Sequence, residues 1–510
     1  MEVGRKKFLL GEKARTPGVN PISPWATPNG PGSVPGLKAV ISLRRKNKVA
    51  QVAPFKGLYF NPEKIPDLSQ VVTPPYDVIR PEDREALAAR HPYNMVHLIL
   101  PPARPGDGPL DNRYTRAAAL FQKWQREGVF RRADQPAYYY WETGFTYAGR
   151  SYTRRGLAAL VRLEPFSRGI ILPHEQTFSQ IKADRLELFK SCQAHFSPIF
   201  ALFPDPADKI LATLAQGLNF PPLMDFTDLE GRQQRVFAVT DPEVQAAVFR
   251  AFLPMKLFIA DGHHRYETAL AFQKWMKERY PLTSPRATFN YMLMYLANLH
   301  DPELVILMAH RLLGGPRLKR LSEEVILTRL REYFEVTPLN LPRGETETLA
   351  RSLEGHLTRT RPEETVFIMM GFGLKAWLLK LKEEVRQKIL GREMHPALAA
   401  LDVAVLNYLV FDKVLGLDAQ AQDDPQTCKY SSQPEEVIKL LAAKEASLAF
   451  ILNPTRIEQV RDVALNNLIM PRKSTYFYPK VMTGLLLNPI LPGEEVYLPA
   501  KEEDSLAGAA

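Results

Sequence analysis

The chain has 510 residues, 45% of them hydrophobic and 24% charged, with 66 Lys and Arg against 56 Asp and Glu. That balance belongs to a globular protein with more than one core, and it excludes collagen-like, disordered and disulfide-framework classes. The formal charge of +10 invites a nucleic-acid reading, but residues 1–50 hold ten bases and two acids, leaving 56 bases and 54 acids in the other 460 residues. A body so close to neutral has no bulk field for a polyanion.

Residues 1–52 join this basic excess to six prolines and show no periodicity, which predicts a flexible basic leader. Its Arg44-Arg45-Lys46-Asn47-Lys48 cluster could touch nucleic acid or a membrane surface, or simply be solvated. From Pro54 strand and helix signals alternate. Asp111–Glu127 carries Tyr114, Ala117, Phe121 and Trp124 on one helical stripe, with Gly128 placed to stop it. Ala137–Phe145 and Ser151–Leu163 read as strands around a Tyr147–Arg150 turn. A helix is expected over Ile181–Ala194, strands over Ser197–Phe203 and Met255–Ala260, and then a helix with Ala269, Phe272, Met276 and Tyr280 on one face. Further strands are expected at Asn290–Asn298, Glu303–Met308, Glu364–Met370, Lys375–Leu381 and Ser447–Leu452. Helices are expected at Glu323–Tyr333, Pro396–Leu415, Glu435–Ala443 and Arg456–Asn467. The class is mixed α/β, divided into a leader (1–52), an N-terminal α/β domain (53–320), a C-terminal α/β lobe (321–490) and a tail (491–510).

Cys192 and Cys428 match no metal-site spacing and read as buried thiols in a reducing compartment. Apolar runs such as Leu304–Ala309 fall far short of the roughly 20 residues that span a bilayer, and Phe8-Leu9-Leu10 is too short for a secretory signal. A soluble, cytoplasmic protein is expected, with no membrane partner.

Three segments concentrate chemistry. In Leu257–Tyr266 an apolar strand runs through Asp261-Gly262 into a helix whose free amides and positive end favour an anion; Gly262 permits close approach, Arg265 could fork onto phosphate oxygens, and His263 and His264 add donors or an acid/base pair. In Pro173-His174-Glu175 a carboxylate stands beside an imidazole and could act as a general base, with Lys182, Asp184 and Arg185 on the helix that follows. The bland alternative makes His174 a cap and those three charges a solvated face. Met470–Lys480 packs Arg472, Lys473, Ser474, Thr475, Lys480 and three aromatics between prolines, a loop able to clamp a nucleotide or simply to bury its own rings.

Several strings resemble a family catalogued as domain of unknown function 1015: Pro54-Phe55 through Lys64, Val71–Ile79 (VVTPPYDVI), His174-Glu175 with Lys182–Leu186, Ser197–Phe200, Asp261–Tyr266, Leu401-Asp402-Val403 and Met470–Lys480. The order of these motifs is also similar to the ParB/sulfiredoxin-like superfamily, especially its free-serine kinases. The resemblance implies a ParB/sulfiredoxin-like core with a large insertion at Pro204–Pro254. It makes Glu175 the base, assisted by His174 and His264, and Gly262, His263, His264 and Arg265 the phosphate cradle.

The expectation is therefore transfer of phosphate from ATP or ADP to a small hydroxyl substrate, with serine or phosphoserine as candidates. Lys473, Ser474 and Lys480 would add nucleotide contacts, Lys182, Asp184, Arg185 and Tyr266 would contact or support the substrate, and Asp261 would hold Mg²⁺. Three alternatives stay open: a non-catalytic nucleotide or phosphometabolite-binding regulator, a phosphoserine-type phosphatase, and a ParB-like nucleic-acid binder, which the near-neutral body disfavours.

Overall fold

Long runs of aromatic and β-branched residues dominate the first half of the chain, and the turn that joins the two longest explains their pairing. Ala148 and Gly149 both take positive φ (48° and 77°), the geometry whose twist suits a two-residue hairpin. The computed structural model describes residues 49–499 apart from residues 178, 317, 343, 359, 360 and 362; residues 1–48 of the expected leader and 500–510 of the expected tail lie outside the described residues.

The hairpin sits in a nine-stranded mixed sheet built from β1 (Val52–Ala53), β2 (Tyr138–Tyr147), β3 (Arg150–Arg162), β4 (Ile171–Leu172), β5 (Ile199–Phe203), β6 (Met224–Thr227), β7 (Gln233–Val239), β8 (Leu257–Asp261) and β9 (Tyr291–Asn298). The order is β4-β8-β5-β9-β3-β2-β7-β6, with β1 also on β3. Pairs β4–β8 and β5–β9 are parallel and the others antiparallel. Alternate residues feed two cores. Trp141, Leu160, Phe200, Leu202, Phe258, Leu293 and Tyr295 enter one, while Tyr140, Val161, Ile199, Ala201, Ile259, Met294 and Leu296 enter the other, as the strand period of two requires. The expected insertion Pro204–Pro254 contributes β6 and β7, which extend the sheet at the edge away from β4, and helices Lys209–Gln216 and Pro242–Phe252.

Three helices frame the end of the sheet where β8 leaves it: α1 (Arg113–Arg126), α2 (Ser179–Cys192) and α3 (His263–Arg279), with α2 packed against both others. On α3, Ala269, Phe272 and Met276 are buried as expected, whereas Tyr280 is exposed at the helix end. A second, antiparallel sheet follows from β10 (His310–Leu313), β11 (Phe334–Leu339), β12 (Val366–Gly371), β13 (Lys375–Leu381), β14 (Cys428–Ser431) and β15 (Leu448–Leu452), in the order β11-β13-β12-β15-β10-β14. It too is buried on both faces. The single helix expected over Pro396–Leu415 is broken into Pro396–Ala399, Asp402–Val405 and a wide π-type stretch, Leu406–Val414, whose turns bring Leu406, Leu409, Val410, Phe411 and Val414 into the core.

Beyond the second sheet the chain returns to the first. Tyr476–Tyr478 pairs with Val305–Leu307, Asn488–Pro489 pairs with Ala194–His195, and Phe477, Met482, Leu485, Leu486 and Leu487 complete the core that holds Trp141 and Phe200. Both cysteines are buried thiols. Among the described residues no helix is long and apolar enough to cross a membrane.

Packing is close where β3 passes β9. A Cβ on Gly156 would lie 2.5 Å from the Leu296 carbonyl oxygen and 2.6 Å from the Tyr295 ring, so a side chain there forces the strands apart. Gly156→Ala should lower the urea midpoint by the equivalent of about 1–3 kcal/mol with an unchanged m-value. An unaltered midpoint would show that the sheet relaxes freely there.

Candidate active site

The site begins where β8 ends. Asp261 is the last strand residue, Gly262 takes φ +96°, and α3 starts at His263 with no side chain capping its first turn. Its first amides therefore keep their affinity for an anion. Glycine is required at this bend on two counts, because φ is left-handed and because a Cβ would press to 3.0 Å on the Arg265 guanidinium tucked beneath it. That guanidinium is committed to structure: it donates to Asp261 Oδ2 and to the Pro198 carbonyl. Lys480, from the far end of the chain, binds Asp261 Oδ1. Burial opposes ionisation of Asp261, but Lys480 and Arg265 outweigh it and hold the carboxyl far below the ordinary range.

Glu175 lies close by, half-buried, in the loop between β4 and α2. Burial raises its carboxyl to about 7, against the lowering charges of Lys473 and Lys480. Oε2 stands 3.6 Å from Nδ1 of the buried His263. The His174 backbone N–H donates to His263 Nε2 at 3.3 Å, so a neutral ring carries its proton on Nδ1, the nitrogen that faces Glu175. Burial, aided by His174, drives His263 well below its usual value, so the ring stays neutral. The His263 ring thus faces the carboxylate, while its backbone amide is the first of α3. His174 is buried edge-on to it at 4.7 Å between centroids, is lowered by burial to about 4, and pairs through Nε2 with Thr475 Oγ1 at 3.1 Å.

The Met470–Lys480 loop, expected either to clamp a nucleotide or simply to bury its own rings, is pinned at points along its length. Met470 N–H donates to the His174 carbonyl at 2.8 Å. The buried Arg311 donates to the Arg472 carbonyl at 2.9 Å, Thr455 Oγ1 to the Ser474 carbonyl at 2.7 Å, and the buried Arg154 to the Pro479 carbonyl. Ser474 is fully buried and its hydroxyl binds the Pro471 carbonyl, so it shapes the loop. Lys473 is exposed and held at φ +53°, a strained position for a side chain that projects toward Glu175's field.

Of the other expected residues, Lys182 is paired with Glu267 at 2.5 Å across α2 and α3. Asp184 binds Arg113, Arg185 and the Tyr114 hydroxyl, and Arg185 also donates to the Ile99 carbonyl. These tie α2 to its neighbours. Tyr266 is fully buried, its hydroxyl donating to the Glu164 carbonyl at 2.7 Å, so it anchors α3 rather than a substrate. His264 is partly exposed and is lowered by burial, with Asp77 and Glu267 opposing.

Two residues of the Val71–Ile79 string escape the sequence reading of the site. Tyr76 lies under Arg185, 4.6 Å from ring centroid to guanidinium carbon, and the exposed Asp77 adds negative charge beside Lys480 and His264. The double proline before them, which sets a rigid turn, is the one signal that could have singled them out. Beside Lys480 opens a cleft of about 410 Å³ with Val72, Val78, Arg90, Tyr476, Tyr478 and Met482 in its wall, within the size range of small-ligand sites.

The residues do not fit a protein-held Mg²⁺. Both oxygens of Asp261 are taken by cations, and among the described residues no three His, Cys, Asp or Glu side chains stand together as a metal site. The uncapped start of α3 suits an anion, and the cleft beyond Lys480 is lined by other residues.

The model of the family described as protein of unknown function DUF1015 matches residues 52–404, and the chain belongs to that family. No curated protein matches the chain. Similar solved structures include a free serine kinase in complex with AMP (13% identity, 64% of this chain, 89% of that one, TM-score 0.29). Others are a truncated SbnI from Staphylococcus aureus (10%, 69% and 92%, TM-score 0.30) and a conserved hypothetical protein from Pyrococcus furiosus (14%, 66% and 93%, TM-score 0.26). At these TM-scores nothing is carried over from them to this chain.

Two outcomes check this geometry. In ¹⁵N-histidine NMR, His263 should remain neutral with its proton on Nδ1 from about pH 5 to 9; titration near 6.5 would contradict it. Lys480→Met leaves buried Asp261 short of one cation and should cost about 3–5 kcal/mol near neutral pH. Because the depressed Asp261 value stabilises only above the unfolded value, the gap between variant and wild type should narrow as pH falls below about 4.

Proposed function

We propose that this member of the family transfers phosphate between a nucleotide and a small hydroxyl compound, with Glu175 as the base. The observation that carries the reading is the Glu175 carboxyl, raised by burial to about 7 and placed between Lys473, Lys480 and the Nδ1–H of His263. A base with a value near the working pH combines ionised population with proton affinity. The uncapped start of α3, where the His263 ring meets Glu175, supports the nucleotide half of the proposal.

The first-turn amides of α3, with Lys473 and Lys480, would hold the phosphates. A bound nucleotide supplies the phosphoryl group. The chain's own residues do the rest: His263 Nδ1–H faces Glu175 Oε2, and Oε1 takes the acceptor's hydroxyl proton. As it does so, the acceptor oxygen bonds to the terminal phosphorus and the bond from that phosphorus to its bridging oxygen breaks, releasing the nucleotide one phosphate shorter. The lysines neutralise charge on the transferred group. The proton then passes from Glu175 to solvent. A second reading is a nucleotide binder without catalysis; the Arg265 guanidinium, spent on Asp261 and Pro198, is withdrawn from the ligand in both readings.

Full-length protein incubated with ATP or ADP and a panel of small hydroxyl compounds should yield a phosphorylated product. Glu175→Gln should lower turnover about 10²–10⁴-fold while nucleotide affinity holds. Turnover should rise with pH through about 7 as the raised carboxyl ionises, and that limb should vanish in the variant. Tight binding without product would select the second reading.

A further inference from the structure

Arg265 also forms part of the wall of a smaller cavity, about 80 Å³, bounded by Ile99, Leu188, Phe189, Phe196 and Met292. Six polar side chains also line it. Arg185, Arg265 and Ser197 are hydrogen-bonded elsewhere and Tyr76 lies under Arg185. The other two are His195, from the short strand beside Asn488, and Thr268, from α3. Each is 3% exposed, and neither His195 Nε2 nor Thr268 Oγ1 has a hydrogen-bond partner among the described residues. A native fold rarely leaves two buried polar atoms unpaired at one cavity, because each forfeits its hydration.

The chemistry of the pair defines what would satisfy them. His195 Nδ1 meets the Asn488 amide nitrogen at 3.1 Å; with that amide donating, the ring proton sits on Nε2, which becomes a donor. Burial lowers His195 to about 3, so the ring stays neutral and a charged partner gains nothing from it. A hydroxyl can both accept and donate. The space is about half the ~150 Å³ of a cavity that encloses the six heavy atoms of benzene, so it suits a molecule of about three or four heavy atoms.

We propose that this cavity is a subsite for a short aliphatic chain bearing a hydroxyl, which accepts from His195 Nε2 and donates to Thr268 Oγ1. On the phosphotransfer reading above, on which only this clause rests, it receives the non-reacting end of the acceptor.

The probe is 1-propanol on the full chain, its affinity measured by saturation-transfer NMR and its position by crystal soaking. Density for propanol is expected in the cavity, its oxygen between the two atoms. Thr268→Val removes one hydrogen bond and a buried hydroxyl without changing shape, so it should weaken propanol binding about threefold to tenfold while Tm is kept or raised. Ala194→Val, which fills part of the cavity, should abolish binding in a folded protein. If the density shows water only, or the affinity is the same in all three proteins, the subsite is wrong whatever the enzyme's activity. If propanol binds with this dependence but no acceptor is ever phosphorylated, the subsite stands and the phosphotransfer reading falls.

Discussion

The carboxylate of Asp261, held between Arg265 and Lys480, is the constraint on which the site depends. It joins the end of β8, the first turn of α3 and a loop 219 residues further along the chain. A buried cluster of this kind adds little net stability, since the cost of desolvating three charges offsets most of their attraction. Its effect is to define one arrangement. Asp261 is the carboxylate that Lys480 binds, with Asp77 adding negative field, so the returning chain is drawn to the position that neutralises this largely buried cation.

That arrangement also sets the character of Glu175. Burial alone would raise its carboxyl further, and Lys473 and Lys480 pull it down, while Asp261 pushes it up again. Because Asp261 takes part of the field of Lys480, the lysine does not force Glu175 fully into the ionised form. The nearby carboxylate therefore tunes the base without touching it. His263 completes the division of labour: the His174 backbone fixes its tautomer, and the Nδ1–H that results can steady one oxygen of Glu175 while leaving the other free.

Much of this was legible in the sequence, and what was not had a physical cause. The hairpin, β8 and α3 follow from alternation, a glycine stop and helical stripes, so the mixed α/β class and the strand–glycine–helix turn are recoverable from local pattern. The nearness of His174-Glu175 to Asp261–Arg265 is not local, and only their resemblance to a known motif order suggested it. Roles were harder still. A sequence shows that Arg265 is a cation at a helix start, but not that Pro198 and Asp261 consume its donors. It shows two adjacent histidines, but not that one is buried against a carboxylate while its neighbour stays partly exposed. Asp77 and Tyr76 carried no chemical signature beyond a proline turn. The helix expected at Pro396–Leu415 breaks because its apolar residues run all round it, and the wide turns satisfy that composition better than a single amphipathic face.

The pinning of Met470–Lys480 bears on how such a site would work. Two fully buried arginines from different sheets, Arg154 and Arg311, donate to its backbone carbonyls, with Arg154 packed 4.9 Å from the Phe200 ring and 5.2 Å from that of Tyr295. Moving the loop would strand two buried cations, which is far costlier than moving an ordinary surface loop. A lid is therefore a poor description of it. Lysines fixed in advance need no reorganisation when charge develops on a bound group, and electrostatic preorganisation of that kind is the larger share of catalysis in many enzymes. Lys473, at the tip of this rigid loop, keeps a left-handed backbone (φ +53°) under an exposed side chain, so the fold fixes where that cation is rooted at some cost to the backbone.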